Sequence, residues 1–338
     1  MQALVVDQIG SFLGKKSERV RVQNKGELLA EVPFQDLEQV LVVSEGVSVS
    51  SDLIYECGTR GIPITFLTFA GEPYATVVSA SLTGTVATRR EQLLAYFDER
   101  GVKLAAAFAR GKLANQVNLL RYVGKYRKEA HPQVYEALRE AATEIQDTAA
   151  GLDRLGGNRL DEVRDTIMGI EGRAASRYWE AVRHVIPEEY GWTKREHRGA
   201  TDVVNCLLNY AYGILYGQIE RAIVLAGLDP YGGYLHVDRP GKPSLTLDLI
   251  EEFRQMVADR VILALLGRGS DLRMDSPGRL DSATRRLVSS KIFERLETEE
   301  PYEGRRHKLR TIMQSQARHL ATFVRGERAE YSAWVGRW

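Results

Sequence analysis

Three short segments carry acidic or imidazole side chains in otherwise apolar surroundings. They are Gly169-Ile170-Glu171-Gly172-Arg173-Ala174-Ala175, the stretch Gly227-Leu228-Asp229-Pro230-Tyr231-Gly232-Gly233-Tyr234-Leu235-His236, and the run from Ser244 to Arg254 that contains Asp248 and Glu251. Folded together, they offer Glu171, His236, Asp248 and Glu251 as one cluster. Two or three carboxylates with one imidazole suit a divalent cation such as Mn2+ or Mg2+, and this ligand set accepts either. A cation held that way, in a chain with basic flanks and no phosphate-cradling loop, points to phosphodiester chemistry on nucleic acid.

Each of these residues also has a plainer role open to it. Glu171 lies four residues after Ile167 and four before Ala175, on or beside an apolar stripe of Val163, Ile167, Ala174, Ala175, Tyr178 and Val182. An unpaired carboxylate there is costly, and a salt bridge to Arg173, Arg177 or another basic residue would satisfy it as well as a metal. Asp248 and Glu251 share one face of a helix, yet Asp-x-x-Glu is also a capping box. Ser244 after Pro243 competes as the cap and would leave Asp248 inside the first turns. A lone histidine such as His236 is often a structural hydrogen-bonding group. It is the combination that favours chemistry, since the glycine-rich loop precedes the acidic pair by 12 and 15 residues and can bring them together.

Other signatures are absent. The chain has no Gly-x-x-x-x-Gly-Lys-Ser/Thr loop, no His-Glu-x-x-His and no Gly-x-Ser-x-Gly. Arg195-Glu196-His197-Arg198 has the residue types of a tyrosine-recombinase basic triad, but four adjacent residues cannot supply that geometry.

The elements that must position the cluster can be read from pattern. Residues 1–90 read as strands at 3–6, 28–32, 39–43, 62–67 and 75–78, punctuated by Asn24-Lys25-Gly26, Gly61-Ile62-Pro63 and Gly71-Glu72-Pro73, with a short helix within 50–58. From Arg89 the apolar spacing becomes helical and predicts helices over most of 90–128, 131–150, 158–187, 200–227, 248–266 and 281–324. The fold class is α+β: a small N-terminal β-sheet domain over 1–90, followed by a larger all-α catalytic domain over 91–338 that holds the metal-binding cluster.

The 338 residues are 44% hydrophobic and 27% charged, which suits a soluble globular protein with a substantial core. Two cysteines, Cys57 and Cys206, are too few for a disulfide framework and read as buried thiols of a reducing cytoplasm. No apolar run is long enough to span a membrane, and the opening Met-Gln-Ala-Leu-Val-Val-Asp is not a signal peptide. Net charge is only +1, but residues 268–338 hold 15 Lys and Arg against 10 Asp and Glu. That basic bias fits either a phosphate-facing surface or an ordinary solvated one.

Taken in order, these segments resemble the CRISPR-associated integrase family, the spacer-acquisition endonucleases known as CRISPR-associated protein one. The matching text is Gly169-Ile170-Glu171-Gly172, Asn205-Cys206-Leu207-Leu208-Asn209-Tyr210-Ala211-Tyr212, Gly227-Leu228-Asp229-Pro230, Leu235-His236 and Leu247-Asp248-Leu249-Ile250-Glu251-Glu252-Phe253-Arg254. Lys112-Leu113-Ala114-Asn115-Gln116 is similar to the family's Lys-x-x-Asn-Gln segment, and the plan of a β domain then a helical domain agrees from end to end. In one departure, Arg198-Gly199-Ala200-Thr201-Asp202-Val203-Val204 stands where the family often has a proline.

The resemblance implies metal ligands at Glu171, His236 and Glu251, with Asp248 as an accessory acidic residue of the catalytic cluster. It implies transesterification, in which the 3′-hydroxyl of a captured DNA fragment attacks a phosphodiester at the edge of a CRISPR repeat, or endonuclease cleavage when water attacks. It also implies a homodimer formed through the β domain, with two dimers flanking a small partner, CRISPR-associated protein two, in a heterohexamer. Arg173, Arg177, Tyr178 and Arg254 are candidate DNA contacts, each equally able to serve as a structural partner. The alternatives are a non-catalytic nucleic-acid-binding scaffold of the same fold and a metal-dependent RNA hydrolase.

Overall fold

The structure is a computed structural model and describes residues 2–68, 71, 73–77, 86–197 and 199–337. Val78, Glu72 and Arg198, which belong to segments named in the sequence analysis, lie outside the described residues. The strands of the N-terminal part are β1 (Gln2–Val6), β2 (Phe12–Lys16), β3 (Arg19–Asn24), β4 (Glu27–Pro33), β5 (Leu37–Val42), β6 (Ser48–Val49), β7 (Ile64–Leu67) and β8 (Pro73–Val77), with α1 (Ser51–Arg60) between β6 and β7. The helices beyond them are α2 (Val86–Ala95), α3 (Glu99–Lys125), α4 (Pro132–Ala149), α5 (Leu160–Arg183), α6 (Val203–Leu225), α7 (Ser244–Ile250), α8 (Arg260–Gly267), α9 (Ser282–Leu296) and α10 (Leu309–Val324). Two ribbons interrupt them, β9 (Met274–Ser276) with β10 (Arg279–Leu280), and β11 (Glu299–Tyr302) with β12 (Arg305–Lys308).

The chain packs as two compact units, each assembled from separate stretches. One is Met1–Thr83 with His197–Arg221 and Asp271–Glu294; the other is Gly84–Glu196 with Ala222–Ser270 and Arg295–Trp338.

The first unit holds two four-stranded sheets, ordered β1-β5-β7-β8 and β4-β3-β2-β6. β1, β5 and β7 run parallel and β8 closes the edge antiparallel. The alternation Arg19-Val20-Arg21-Val22 buries both valines and turns both arginines outward, as a half-buried strand requires. Lys25 and Gly26, at φ 48° and 87°, make the left-handed turn into β4. Leu4, Val6, Leu13, Val20, Val40 and Val42 meet Leu53 and Cys57 of α1 in one core. Helix α6 lays Gly213 on Gly71, where a Cβ would stand 1.8 Å from the Gly71 carbonyl oxygen, an approach open only to glycine.

In the second unit α3, α4 and α5 pack against one another around Leu104, Phe108, Leu113, Leu120, Leu138, Ile145, Ile167 and Ala174. Among the described residues no helix is long and apolar enough to cross a membrane.

The α+β class holds, with strand sheets at the N-terminal end and a helical C-terminal region. The structure differs from expectation in several places. The single helix expected over 281–324 is two, α9 and α10, separated by the β11–β12 hairpin. Pro301 lacks an N–H, and Glu303-Gly304 turns at φ 47° and 79°, a geometry no α-helix admits. The helix expected over 248–266 begins at Ser244 and is broken into α7, a π turn at Gln255–Asp259 and α8. Strands β2 and β3 stand outside the expected set, because their charge density masks an alternation that pairing makes decisive.

Candidate active site

Three helices and one loop of the second unit build the cluster. On α5 the apolar stripe Val163, Ile167, Ile170, Ala174 and Tyr178 is buried, and Glu171 sits beside it with its side chain 20% exposed. The first turn of α5 carries Asp161 and Glu162, favourable at the positive end of a helix.

The loop before α7 is held by two side chains. Gln92 of α2 donates to the carbonyls of Asp229 and Gly232, each at 2.8 Å, and accepts from Asp229 N at 2.8 Å. Gly233 lies so close to Ser244 and Leu245 that a Cβ would meet their backbone at 2.6–2.8 Å. Asp248 gathers the last three residues of the loop segment: Tyr234 N, Leu235 N and His236 N donate to its carboxylate at 2.6, 3.0 and 2.9 Å. His236 Nδ1 is 2.7 Å from Asp248 Oδ1. A carboxylate only accepts, so Nδ1 carries a proton, and in the neutral ring the lone pair is on Nε2. Nε2 stands 4.0 Å from Glu251 Oε1.

Asp248 is therefore inside α7 rather than capping it. The position before the helix is Pro243, with no side-chain cap, so the capping-box form of Asp-x-x-Glu is not used. Glu251 stands just past the last residue of α7, is 1% exposed, and has Arg254 Nη1 at 3.3 Å from Oε1. Its Oε2 is 2.9 Å from the ammonium of Lys112, which also contacts Glu171 Oε1. Burial works against charge on Glu251, but Arg254, Lys112 and His236 outweigh it and hold its pKa below the usual carboxylate range. Burial likewise opposes a charged Lys112, and Glu251 and Glu171 overcome it, raising the lysine's pKa.

The basic partner of Glu171 is thus Lys112, from another helix, and not Arg173 or Arg177. The sequence marks Lys112 only as part of a motif. The signal that could have found it is a lysine on the buried, alanine-rich face of α3, where it needs an acidic partner.

The residue types fit a divalent ion, with hard carboxylate oxygens, one imidazole whose free nitrogen is aimed inward, and a cation already lodged between Glu171 and Glu251. As the side chains lie, no three His, Cys, Asp or Glu among the described residues stand close enough to ligate one ion.

The four candidate DNA contacts separate. Arg173 is exposed on α5. Arg177 is engaged by Glu144 at 2.6 Å and Glu180 at 3.2 Å, and Arg254 by Glu251. Tyr178 is fully buried and donates to Asp259 Oδ2 at 2.7 Å, so it ties α5 to the π turn and presents nothing to a phosphate in solvent.

Behind Glu251, the next residue anchors the C-terminal segment. Glu252 accepts from Gln316 Nε2 at 2.7 Å, Trp334 N at 2.8 Å and the Tyr331 hydroxyl. Burial pushes its carboxyl up to about 7 against those donors. Asn115 of α3, three residues after Lys112, donates to the carbonyls of Glu252 and Trp334 and accepts from Gly336 N.

The family model described as CRISPR associated protein Cas1 matches residues 4–293. A CRISPR-associated endonuclease Cas1 of Archaeoglobus fulgidus is 41% identical over 346 aligned positions, 99% of each chain. One of Francisella tularensis subsp. novicida is 31% identical over the full length of both. Among solved structures, a casposase bound to integration product shares the fold at TM-score 0.83 and 21% identity, over 98% of this chain and 93% of that one. A CAS1 protein from Thermotoga maritima does so at TM-score 0.79 and 20% identity, over 99% and 100%. On the span of the family model and on 41% identity along nearly the whole length, this chain belongs to the CRISPR associated protein Cas1 family.

Proposed function

We propose that the chain is a metal-dependent DNA endonuclease and integrase of CRISPR adaptation, inserting captured fragments as new spacers at a CRISPR repeat. The observation that carries this is that Glu171 and Glu251 share the Lys112 ammonium while His236 Nε2, its ring oriented by Asp248, stands 4.0 Å from Glu251 Oε1. The names of the Cas1 endonuclease relatives, and a fold neighbour held on its integration product, support it from outside the chain.

Glu171, His236 Nε2 and Glu251 would hold Mg2+ or Mn2+, which when bound supplies charge stabilisation at phosphate and lowers the pKa of the attacking hydroxyl. The chain's own part is positional. Asp248 keeps Nδ1 protonated, so the other ring nitrogen faces Glu251. Arg254 keeps Glu251 ionised. In strand transfer the fragment's 3′-oxygen forms a new bond to phosphorus as the repeat's 3′-oxygen leaves, so no nucleotide triphosphate and no covalent enzyme intermediate is required. With water as nucleophile the same centre cleaves.

The partners proposed are DNA (fragment and repeat), a second copy joined through the N-terminal β domain, and a small CRISPR-associated protein two subunit between two such dimers. A solved complex of a Cas6-RT-Cas1 chain with Cas2 shares this fold over 98% of the present chain and 36% of that one, and supports a CRISPR-associated protein two partner. One observation favours the non-catalytic scaffold instead: Lys112 satisfies Glu171 and Glu251 without any metal.

Strand transfer of a short duplex with free 3′-hydroxyl ends into a supercoiled, repeat-bearing plasmid separates them. Wild type and His236→Ala are compared in Mn2+ and in EDTA, with the partner subunit added. Joining that requires Mn2+ and is lost in His236→Ala is expected. Tight DNA binding with no joining or cleavage in Mn2+ would replace the integrase with the scaffold.

A further inference from the structure

Lys112 reaches the cluster from α3, a helix that carries none of the candidate metal ligands. Its side chain is 10% exposed, and its ammonium contacts Glu171 Oε1 and lies 2.9 Å from Glu251 Oε2. Two carboxylates brought together away from water repel unless positive charge lies between them. Here the lysine supplies it.

A divalent ion bound to the same oxygens would sit about 2 Å from each. That is within a few ångströms of the ammonium, where like charges in a desolvated site repel strongly. The two cations therefore exclude each other. The lysine has the means to leave, since its ammonium stands at the end of a flexible four-carbon stem.

We propose that Lys112 is a resident counter-ion: it holds Glu171 and Glu251 together in the metal-free protein, swings aside when a divalent ion binds, and so lowers the site's metal affinity from within. This rests on the cluster being a metal site. It deepens that assignment by naming what fills the site beforehand and what the incoming ion must displace. The arrangement keeps the acidic residues gathered without metal, and it penalises weakly charged ions that cannot outcompete an ammonium.

The test compares wild type with Lys112→Met, which keeps the stem volume and removes the charge. Mn2+ affinity is read by calorimetry on metal-free protein, and thermal unfolding is followed with and without Mn2+. Lys112→Met is expected to melt lower than wild type when metal-free, to regain that loss in saturating Mn2+, and to bind Mn2+ about tenfold tighter or more, since a competing cation has gone. Lys103→Met, on the exposed face of α3 beside Glu99, should change neither reading. Folded Lys112→Met that binds Mn2+ no tighter than wild type overturns the proposal. If Lys112→Met does not fold even in Mn2+, Lys112→Gln takes its place, with tighter binding required again. Were wild type and variants all to bind no Mn2+, the metal site itself would fall and this inference with it. Wild-type binding with no tightening in either variant removes the counter-ion alone.

Discussion

His236 Nδ1 and Asp248 Oδ1 lie 2.7 Å apart, and the same carboxylate collects the backbone N–H groups of Tyr234, Leu235 and His236. One fully buried side chain on α7 thus sets the path of a loop, the tautomer of an imidazole and the direction of its free nitrogen. A carboxylate behind a ligating histidine orients the ring and raises its basicity.

Replacing Asp248 by Asn leaves the size unchanged but puts an amide where an acceptor-only group stood. The ring can then take the other tautomer. Asp248→Asn is expected to weaken Mn2+ binding about 10–100-fold, the usual effect of losing such a partner, and to reduce strand joining in step. Calorimetry and the plasmid assay, each run on folded protein, check it. Wild-type Mn2+ affinity in Asp248→Asn would rule out this orienting role.

The C-terminal segment bears on the same region. Trp334 stacks on Phe253 with ring centres 5.2 Å apart and planes at 12°, and Tyr331 donates to Glu252. Trp334→Ala should cost about 3–5 kcal/mol, as for a buried aromatic truncated in a core. Tyr331→Phe should cost about 1–3 kcal/mol, because the buried carboxyl of Glu252 loses a donor. Denaturant unfolding measures both, and losses well under about 1 kcal/mol would show the segment to be only loosely attached.

Both cysteines are buried, and burial pushes the Cys57 thiol up to about 12 and that of Cys206 up to about 11. Thiolate is the reactive form. Neither should react with an aromatic disulfide reagent at about pH 8 in the folded protein, and both should react once it is denatured. Rapid labelling of native protein would contradict this.

His319 provides a pH dependence. Burial, aided by Arg328 and opposed by Glu303, lowers its pKa below the ordinary 6.5. The unfolded chain then takes up the proton more readily than the folded one. The stability from this group is complete above 6.5 and is lost as pH falls through that value toward the folded pKa. His319→Gln should flatten the acid-side decline in stability, read as denaturation midpoints at a series of pH values. An unchanged slope would assign the decline to other groups.

Much of this was legible in the chain because it depends on neighbours a few residues apart. The spacing of Ile167, Ala174 and Tyr178 makes a helix that must carry Glu171 at the margin of its buried face, since helical periodicity is local. The glycines and the Asp229-Pro230 step of the loop before His236 mark a sharp path for the same reason. Asp248 and Glu251 share one side of their segment by spacing alone.

Tertiary structure decided what depends on distant residues. Tyr178 is an inward anchor on Asp259, 81 residues away, and no feature of its own helix turn says so. The Glu299–Lys308 hairpin forms where apolar spacing continued a helix, because Glu303 and Gly304 turn the chain and strand pairing completes it. Glu171 finds Lys112 across 59 residues and leaves the arginines of its own helix to other tasks. A buried charge takes the partner that packing brings within reach, and packing is a property of the whole fold, so the sequence by itself determined which side chains could do chemistry and the tertiary structure decided which of them meet.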